Sequence, residues 1–286
     1  MPRDRRHDRR IQRCIVTTTE ISVGTGVREV TDDEVEFFFQ NGWVHLPGLL
    51  SPELVASLLA FAKERMGESG DSANLRPGQD IDSAWFKDYH DPSREEGGIF
   101  QPVGWSEVMG RNAARLLGRD TAMRFLTDLL AVKLPSAETG RGAESDFHQD
   151  YNLLPFDKMS VNVWTALDRV SAEQGPLRFF SRSHTLGHLG KPCDYAAEWP
   201  RVARVCSVEG PAELAPGDAT VHSSLTIHGA AGNSSDRPRW GWISSYFPAD
   251  SRYTGVPYRH TDGLGLKRFE LADHPKFPVV YTPAAG

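Results

Sequence analysis

The sequence has 286 residues, of which 39% are hydrophobic and 24% are charged, a composition that excludes a disordered chain and allows a full hydrophobic core. Its net charge of −6 argues against a general attraction to nucleic acid or to an anionic membrane, so the expected partner is a small molecule. Three widely spaced cysteines, and no apolar run of export or membrane-spanning length, predict a cytoplasmic protein.

The first residues of the chain are rich in arginine, a pattern typical of a solvated terminal tail. We expect residues 1–27 to form a flexible basic tail and residues 28–286 to form a single domain, because one large core suits a chain of this length. The composition leaves the oligomeric state open.

Helix signals dominate the first part of the domain. Thr31 and Glu34 have the spacing of a capping box, and apolar residues follow at helical spacing, which predicts a helix over residues 31–41 that ends at Asn41-Gly42. Ser51-Pro52-Glu53 is typical of a second helix start. The other elements predicted in this part are a strand at 43–46 and helices near 106–117 and 119–130.

After residue 131 the pattern changes to short alternating runs separated by turn residues, as in an antiparallel sandwich or barrel. In the run 161–167, alternation places Asn162 and Trp164 on one face, which could line a pocket. Further strands are predicted at 177–180, 219–227 and 239–247, with turns at 173–176 and 216–218.

The segment 85–105 is aromatic and lacks a clear period. A long irregular segment in a compact domain is often a lid or a binding loop, so Phe86 and Tyr89, together with Tyr151, are candidate substrate contacts. An alternative of equal weight is a surface excursion whose aromatic side chains pack on the core.

The stretch FHQDY places His148 and Asp150 two residues apart. On a strand, residues i and i+2 face the same way, so this pair can supply half of a metal site. Either His222 or His228 could supply a third ligand, because the two would share one face of a regular strand.

The residues after His228 favour it as the third ligand. Residues 229–235 are turn material, which predicts a hairpin that brings Arg239 into the adjacent strand. Two histidines and one carboxylate leave three positions open on a metal, an arrangement typical of non-heme Fe(II) oxygenases. An α-keto acid could occupy two of these positions and O₂ the third, while Arg239 binds the distant carboxylate.

From residue 31 to 250 the chain resembles the phytanoyl-CoA dioxygenase family of Fe(II)/2-oxoglutarate oxygenases. The motifs that carry the resemblance are, in order, GWVHLPGLLSPELV, AVKLP, FHQD, VWTALD, EQGPLRFFSRSH, GDATVHSSLTIHG and RPR. The resemblance implies a mainly β fold with flanking α-helices and a double-stranded β-helix (jelly-roll, cupin-like) core. It also implies iron ligands and cosubstrate contacts, namely His148, Asp150 and His228 for iron, and Arg239, Lys133 and Trp164 for 2-oxoglutarate.

One position departs from the family pattern. Many relatives carry a serine two residues after the distal histidine, where this chain has Ala230. The loss removes one hydrogen bond to the cosubstrate, worth about 0.5 to 1.5 kcal/mol. Ser224 or Thr226 could supply another donor.

The predicted function is therefore that of an Fe(II)/2-oxoglutarate-dependent dioxygenase. The resemblance implies that 2-oxoglutarate is converted to succinate and CO₂ while a substrate is oxidised, most simply by hydroxylation. An acyl-CoA substrate would favour a basic patch that this acidic chain lacks, whereas the aromatic segment 85–105 and Tyr151 favour a small, partly apolar molecule, which we expect to be a specialised metabolite. The carboxylate of Asp150 disfavours halogenation, since halogenases of this class lack it. Two alternatives are a non-catalytic jelly-roll binding module and a metal enzyme of different chemistry, such as a zinc enzyme, on the same three residues.

Overall fold

The computed structural model describes residues 26–70, 86–136, 144–190 and 201–284. The predicted basic tail lies outside these residues except for its last two positions, and so does Trp85, the first residue of the aromatic segment. The named helices are α1 (Asp32–Asn41), α2 (Pro52–Met66), α3 (Phe100–Gly104) and α4 (Glu107–Leu116), and residues 201–205 are also helical. Within the described ranges, no helix combines the length and the apolar character needed to cross a membrane.

The strands are β1 (Trp43–Leu46), β2 (Phe86–His90), β3 (Met123–Lys133), β4 (Ser145–His148), β5 (Val161–Ala166), β6 (Leu177–Phe180), β7 (Val208–Glu209), β8 (Ala219–Ser223), β9 (His228–Ala230), β10 (Arg239–Pro248) and β11 (Val279–Tyr281). They form a major sheet in the order β1-β8-β5-β10-β3-β11, with β2 also paired to β3, and a minor sheet in the order β4-β9-β6-β7. The paired strands are antiparallel, so the mainly β prediction is confirmed.

The helix predicted at residues 31–41 is confirmed as α1, and its ends show why the chain folds there. Thr31 Oγ1 accepts a hydrogen bond from Glu34 N at 3.1 Å, and the Glu34 carboxylate accepts one from Thr31 N at 2.8 Å. Gly42 ends the helix with φ 78°, where a Cβ would lie 2.4 Å from the His184 ring. Both ends of α1 are therefore specified locally.

The cap of α1 allows a simple test of local stability. Thr31→Ala removes the acceptor for Glu34 N, so the free energy of unfolding should fall by about 1 kcal/mol. Thr31→Ser retains the hydroxyl and should lose little. Urea unfolding of the two variants measures the difference, and equal loss in both would show that the cap is not the cause.

The helix predicted near 119–130 is wrong, because this stretch lies mostly in the 11-residue strand β3. β3 is paired to β10 along one edge and to β2 and β11 along the other. Most of its residues are buried on both faces of the sheet. Such a strand is a nearly continuous apolar run, which periodicity cannot distinguish from a buried helix.

The single strand predicted at 219–227 is also wrong, since the chain leaves the major sheet after β8 and enters the minor sheet at β9. The predicted turn 229–235 begins inside β9, and the residues after it lead back into the major sheet at β10, so the turn does not close a hairpin. The sequence shows turn residues at these places, but it does not show that the two strands on either side belong to different sheets.

The two faces of the major sheet have different roles. Trp240 and Trp242, which pair with Val132 and Leu130, are buried in the main core together with side chains of the helices. The alternate residues of β10 project from the other face. This second face, together with the minor sheet, encloses the cavity described next.

Candidate active site

His148 and Asp150 lie at the end of β4, although only His148 belongs to the strand. Asp150 begins a short 3-10 helix, and Gln149 between them is extended, with φ −109° and ψ 130°, so the alternation of side chains continues through Asp150. Gln149 is fully buried and donates hydrogen bonds to Gly187 O at 2.8 Å and Leu225 O at 2.7 Å. These bonds anchor the turn that brings the imidazole and the carboxylate to one side.

His228 joins this pair from the neighbouring strand. It is the first residue of β9 and is in register with His148, and the two ring centroids are 4.3 Å apart. Asp150 Oδ1 lies 3.3 Å from His148 Nε2, and Oδ2 lies 3.7 Å from His228 Nε2. One donor atom from each of the three residues falls within 4.8 Å of the others. Two imidazoles and a carboxylate this close could hold one metal ion.

His222 lies beside this group, where it contacts the Asp150 carboxylate and its ring centroid is 4.0 Å from that of His228. Its Nε2 is 3.1 Å from Asp150 Oδ2, and Asn162 Nδ2 donates to the same oxygen at 2.5 Å. Ser245 Oγ in turn donates to Asn162 Oδ1 at 2.5 Å. A strand-to-strand row of polar side chains in the major sheet therefore fixes the position of the Asp150 carboxylate. The sequence did not predict this role for His222 or Asn162.

The protonation states of Asp150 and His228 suit metal binding, whereas at His148 burial, which lowers the pKa, is outweighed by the hydrogen bond and charge of Asp150, so the pKa is raised and a metal would displace that proton. Burial alone would raise the pKa of the Asp150 carboxyl, but the electrostatic interaction with His228 and the hydrogen bonds of His148 and His222 outweigh it and hold the pKa well below its usual range. Burial, with the neighbouring charge of His222, lowers the pKa of His228 to about 3. A charged carboxylate and a neutral imidazole are the forms that bind a metal.

Arg239 is the first residue of β10 and is 2% exposed. Its Nη1 donates to Gly175 O, while its Nε has no hydrogen-bond partner in the described part of the chain. The guanidinium carbon lies 5.1 Å from the Trp164 ring centroid, and Trp164 leaves no room for a side chain at Gly241. Burial lowers the pKa of Arg239 to about 10, so it stays charged at neutral pH. A buried cation with an unsatisfied donor needs an anionic partner.

Lys133 lies next to Arg239 but does not line the cavity. Its side chain is fully buried, and Nζ donates to Ala231 O at 2.8 Å. Burial, together with the charge of Arg239, lowers the pKa of Lys133 to about 7. Lys133 therefore supports the wall behind Arg239.

The donors suggested as replacements for the serine absent at Ala230 are engaged elsewhere. Thr226 Oγ1 donates to Gly42 O at 2.6 Å, and Ser224 Oγ accepts from Ser160 N at 3.2 Å. Both lie in the turn between β8 and β9, outside the cavity lining. The expectation that one of them compensates for Ala230 is therefore wrong.

A cavity of about 420 Å³ joins these groups. Its lining residues are Thr127, Leu129, Ser145, His148, Asp150, Leu153, Leu154, Asn162, Trp164, Leu177, His222, His228, Arg239, Ile243, Ser245, Tyr258, Arg259 and His260. The prediction that Asn162 and Trp164 face a pocket is confirmed. Tyr258, Arg259 and His260 follow β10 in the chain, where the sequence shows no recognisable motif.

The substrate contacts expected in the aromatic segment and at Tyr151 are not among these lining residues. Tyr89 is 1% exposed and packs in the main core, because it pairs with Leu130 and so projects from the opposite face of the sheet. Tyr151 borders a separate shallow groove, where its ring lies 5.6 Å from that of His188. The backbone of Phe86 begins β2, and its side chain lies outside the described part of the structure.

Comparison with known proteins places the chain in a family. The family model for phytanoyl-CoA dioxygenase (PhyH) matches residues 38–241. No curated protein sequence matches the chain.

Solved structures share its fold. The α-ketoglutarate-dependent epimerase SnoN from nogalamycin biosynthesis has a TM-score of 0.70 and 21% identity to this chain. The match covers 87% of this chain and 97% of the SnoN chain. The carbocyclase SnoK from the same biosynthesis has the same score and identity, with 87% and 96% covered. EctD from S. alaskensis, solved with 2-oxoglutarate and 5-hydroxyectoine, has a TM-score of 0.63 and 17% identity, with 82% and 81% covered.

The double-stranded β-helix (jelly-roll) prediction is confirmed by these structures. The matched residues 38–241 span more than half of the 286 residues and contain both the His-Asp-His group and Arg239. The donor set and the buried guanidinium fit iron and 2-oxoglutarate. The chain belongs to the phytanoyl-CoA dioxygenase (PhyH) family, and it is an Fe(II)/2-oxoglutarate-dependent oxygenase.

Proposed function

We propose that this oxygenase binds Fe(II) through His148, Asp150 and His228 and 2-oxoglutarate through Arg239, and hydroxylates a small, partly apolar molecule. The observation that carries the proposal is the convergence of three donor atoms within 4.8 Å in the cavity that also holds the buried guanidinium of Arg239, whose Nε has no hydrogen-bond partner among the described residues. When bound, iron and 2-oxoglutarate supply C–H oxidation, in which O₂ is consumed and 2-oxoglutarate becomes succinate and CO₂.

The chain's own residues position the reactants and exclude water. Asn162 and His222 hold the Asp150 carboxylate, and Arg239 offers a forked donor set that matches a carboxylate. The aliphatic side chains that line the cavity are Leu129, Leu153, Leu154, Leu177 and Ile243. These walls suit an apolar part of the substrate and favour dry surroundings at the site of oxidation.

A role in specialised metabolism is supported by SnoN and SnoK, both from nogalamycin biosynthesis. Those two proteins are an epimerase and a carbocyclase, so one scaffold serves several outcomes, and a product assay distinguishes them. A cytoplasmic location and a single domain over residues 28–286 also stay predictions.

Succinate release tests the proposed function. The purified chain with Fe(II), 2-oxoglutarate and O₂ should form succinate slowly even without a substrate, and the zinc-loaded chain should not. A binding module would form none with either metal, and neither would a zinc enzyme of different chemistry. Once a substrate is found, mass spectrometry of the product distinguishes hydroxylation, which adds one oxygen atom, from epimerisation or ring closure.

The hydrogen bond from Asn162 to the Asp150 carboxylate predicts that Asn162 contributes to Fe(II) affinity. Asn162→Ala removes the 2.5 Å hydrogen bond to Oδ2, so Fe(II) affinity should fall by about 10- to 100-fold, as for other groups that orient metal ligands. Ser245→Ala loses only the bond to Asn162 and should have a smaller effect. Anaerobic calorimetric titration with Fe(II) measures both. An unchanged affinity in Asn162→Ala would show that the bond does not position the ligand.

A further inference from the structure

A second arginine, Arg259, lines the same cavity as the proposed iron ligands. It lies in the segment after β10, outside the residues matched by the family model. Arg259 is exposed to solvent, whereas Arg239 is buried, with only 2% of its surface exposed. The cavity therefore presents one buried and one solvent-accessible guanidinium, and the buried one suffices for the cosubstrate.

Two histidines hold the Arg259 guanidinium. Its Nε donates to His260 Nε2 at 3.0 Å, and its Nη2 lies 2.6 Å from His90 Nδ1. Its Nη1 lies 3.2 Å from His90 Nε2, but a neutral imidazole has one acceptor nitrogen, so only one of the two His90 contacts is a hydrogen bond. Three of the five N–H groups of Arg259 thus have no acceptor among the described residues.

Carboxylates behind the two rings orient them toward Arg259. Asp88 Oδ2 lies 3.8 Å from His90 Nε2, and Asp91 Oδ2 lies 3.8 Å from His260 Nδ1. Each carboxylate favours a proton on the near ring nitrogen, which leaves Nδ1 of His90 to accept from Arg259. Nε2 of His260 also lies 3.3 Å from Thr127 Oγ1, whose hydroxyl donates to Asp91 at 2.8 Å. Burial, with the charge of Arg259, lowers the pKa of His90 to about 4. Burial also lowers the pKa of His260 to about 4, so both rings are neutral at neutral pH.

The direct partners of Arg259 therefore leave its charge unneutralised. Within the described ranges, no carboxylate oxygen lies within 4.0 Å of its guanidinium nitrogens. Asp91 pairs with Arg94 at 3.2 Å. Burial raises the pKa of Asp88 to about 6 although the charge of Arg259 lowers it, so this carboxylate interacts with Arg259 from a distance beyond direct contact. A guanidinium that is fixed in place, charged and supplied with free N–H groups is arranged to receive an anion.

We propose that Arg259 binds a carboxylate of the substrate, so that the molecule oxidised carries a carboxylate attached to an apolar body. This inference rests on the proposed function, since it assigns the cavity's second guanidinium to the oxidised molecule. Two planar N–H groups match the two oxygens of a carboxylate, and the aliphatic walls of the cavity match the rest of the molecule.

The test compares a carboxylate with its uncharged counterpart. Cyclohexanecarboxylate and cyclohexanecarboxamide have similar size and shape, and saturating 2-oxoglutarate blocks Arg239. In anaerobic calorimetry with Fe(II), the wild-type chain should bind the carboxylate at least about tenfold more tightly than the amide. Arg259→Gln should abolish this preference, and Arg259→Lys should retain part of it because lysine keeps the charge but loses the fork.

Arg268→Gln is the matched control, since Arg268 is an exposed arginine of the same segment outside the cavity lining. It should keep the full preference. A wild-type chain without the preference would overturn the inference, and so would a preference that survives in Arg259→Gln. Should Arg259→Gln not fold, as judged by its thermal midpoint, the wild-type comparison and Arg259→Lys still decide.

Succinate formation by the wild-type chain reports separately on the proposed function. If succinate forms and the carboxylate preference is absent, only the substrate class is wrong. If no succinate forms under any condition, the proposed function fails, whatever the affinities for cyclohexanecarboxylate and cyclohexanecarboxamide.

Discussion

Replacing His148, Asp150 or His228 with alanine is expected to abolish succinate formation. Each of the three residues supplies one of the converging donor atoms. When one is removed, the remaining two cannot move to replace it, because the hydrogen bonds of Gln149 and the pairing of β4 with β9 fix their positions. Each variant should also lose Fe(II) binding in anaerobic calorimetric titration. Near-UV circular dichroism should be unchanged, since these side chains are not part of the hydrophobic core.

Two other histidines serve as controls for this result. His188→Ala alters an exposed residue outside the cavity lining and should keep full activity. His222→Ala should weaken Fe(II) binding without abolishing it, since His222 supports two of the proposed ligands by contacting the carboxylate of Asp150 and the ring of His228. If His222→Ala removed all activity while His228→Ala kept it, the third ligand would be His222.

Arg239→Ala is expected to raise the apparent 2-oxoglutarate constant by about 30-fold or more. Removing one partner of a buried, hydrogen-bonded charge pair costs about 2 to 5 kcal/mol, which corresponds to about 30-fold to several-thousand-fold weaker binding. Arg239→Lys should be intermediate, because lysine keeps a charge in the 2% exposed position but cannot make the paired contact. Succinate formation at varied 2-oxoglutarate concentration measures the constant, and Fe(II) affinity should change little.

Arg237 is the internal control for this experiment. It lies two residues before Arg239, but its side chain is 62% exposed and pairs with Asp168 at 3.1 Å on the surface. Arg237→Ala should therefore bind 2-oxoglutarate normally. Should Arg237→Ala reproduce the defect while Arg239→Ala binds normally, the assignment of the cosubstrate carboxylate to Arg239 would be wrong.

The sequence by itself determined those parts of the protein that depend on neighbouring residues. The caps of α1, the starts of α2 and α4, and strand β6 follow from local spacing, and the structure has them within a few residues of the predicted positions. His148 and Asp150 also share one side for a local reason, since the extended Gln149 between them preserves the alternation.

Tertiary structure decided what depends on which strands become neighbours. His228 approaches His148 because β9 pairs with β4, and Asn162 and His222 reach Asp150 because β5 and β8 lie side by side in the other sheet. Spacing along the chain cannot reveal such pairings, and burial on both faces hid the period of two in β3. Tyr89 projects into the core and Arg259 lines the cavity for the same reason: which face a side chain occupies is set by its pairing partner or by the elements that pack around it.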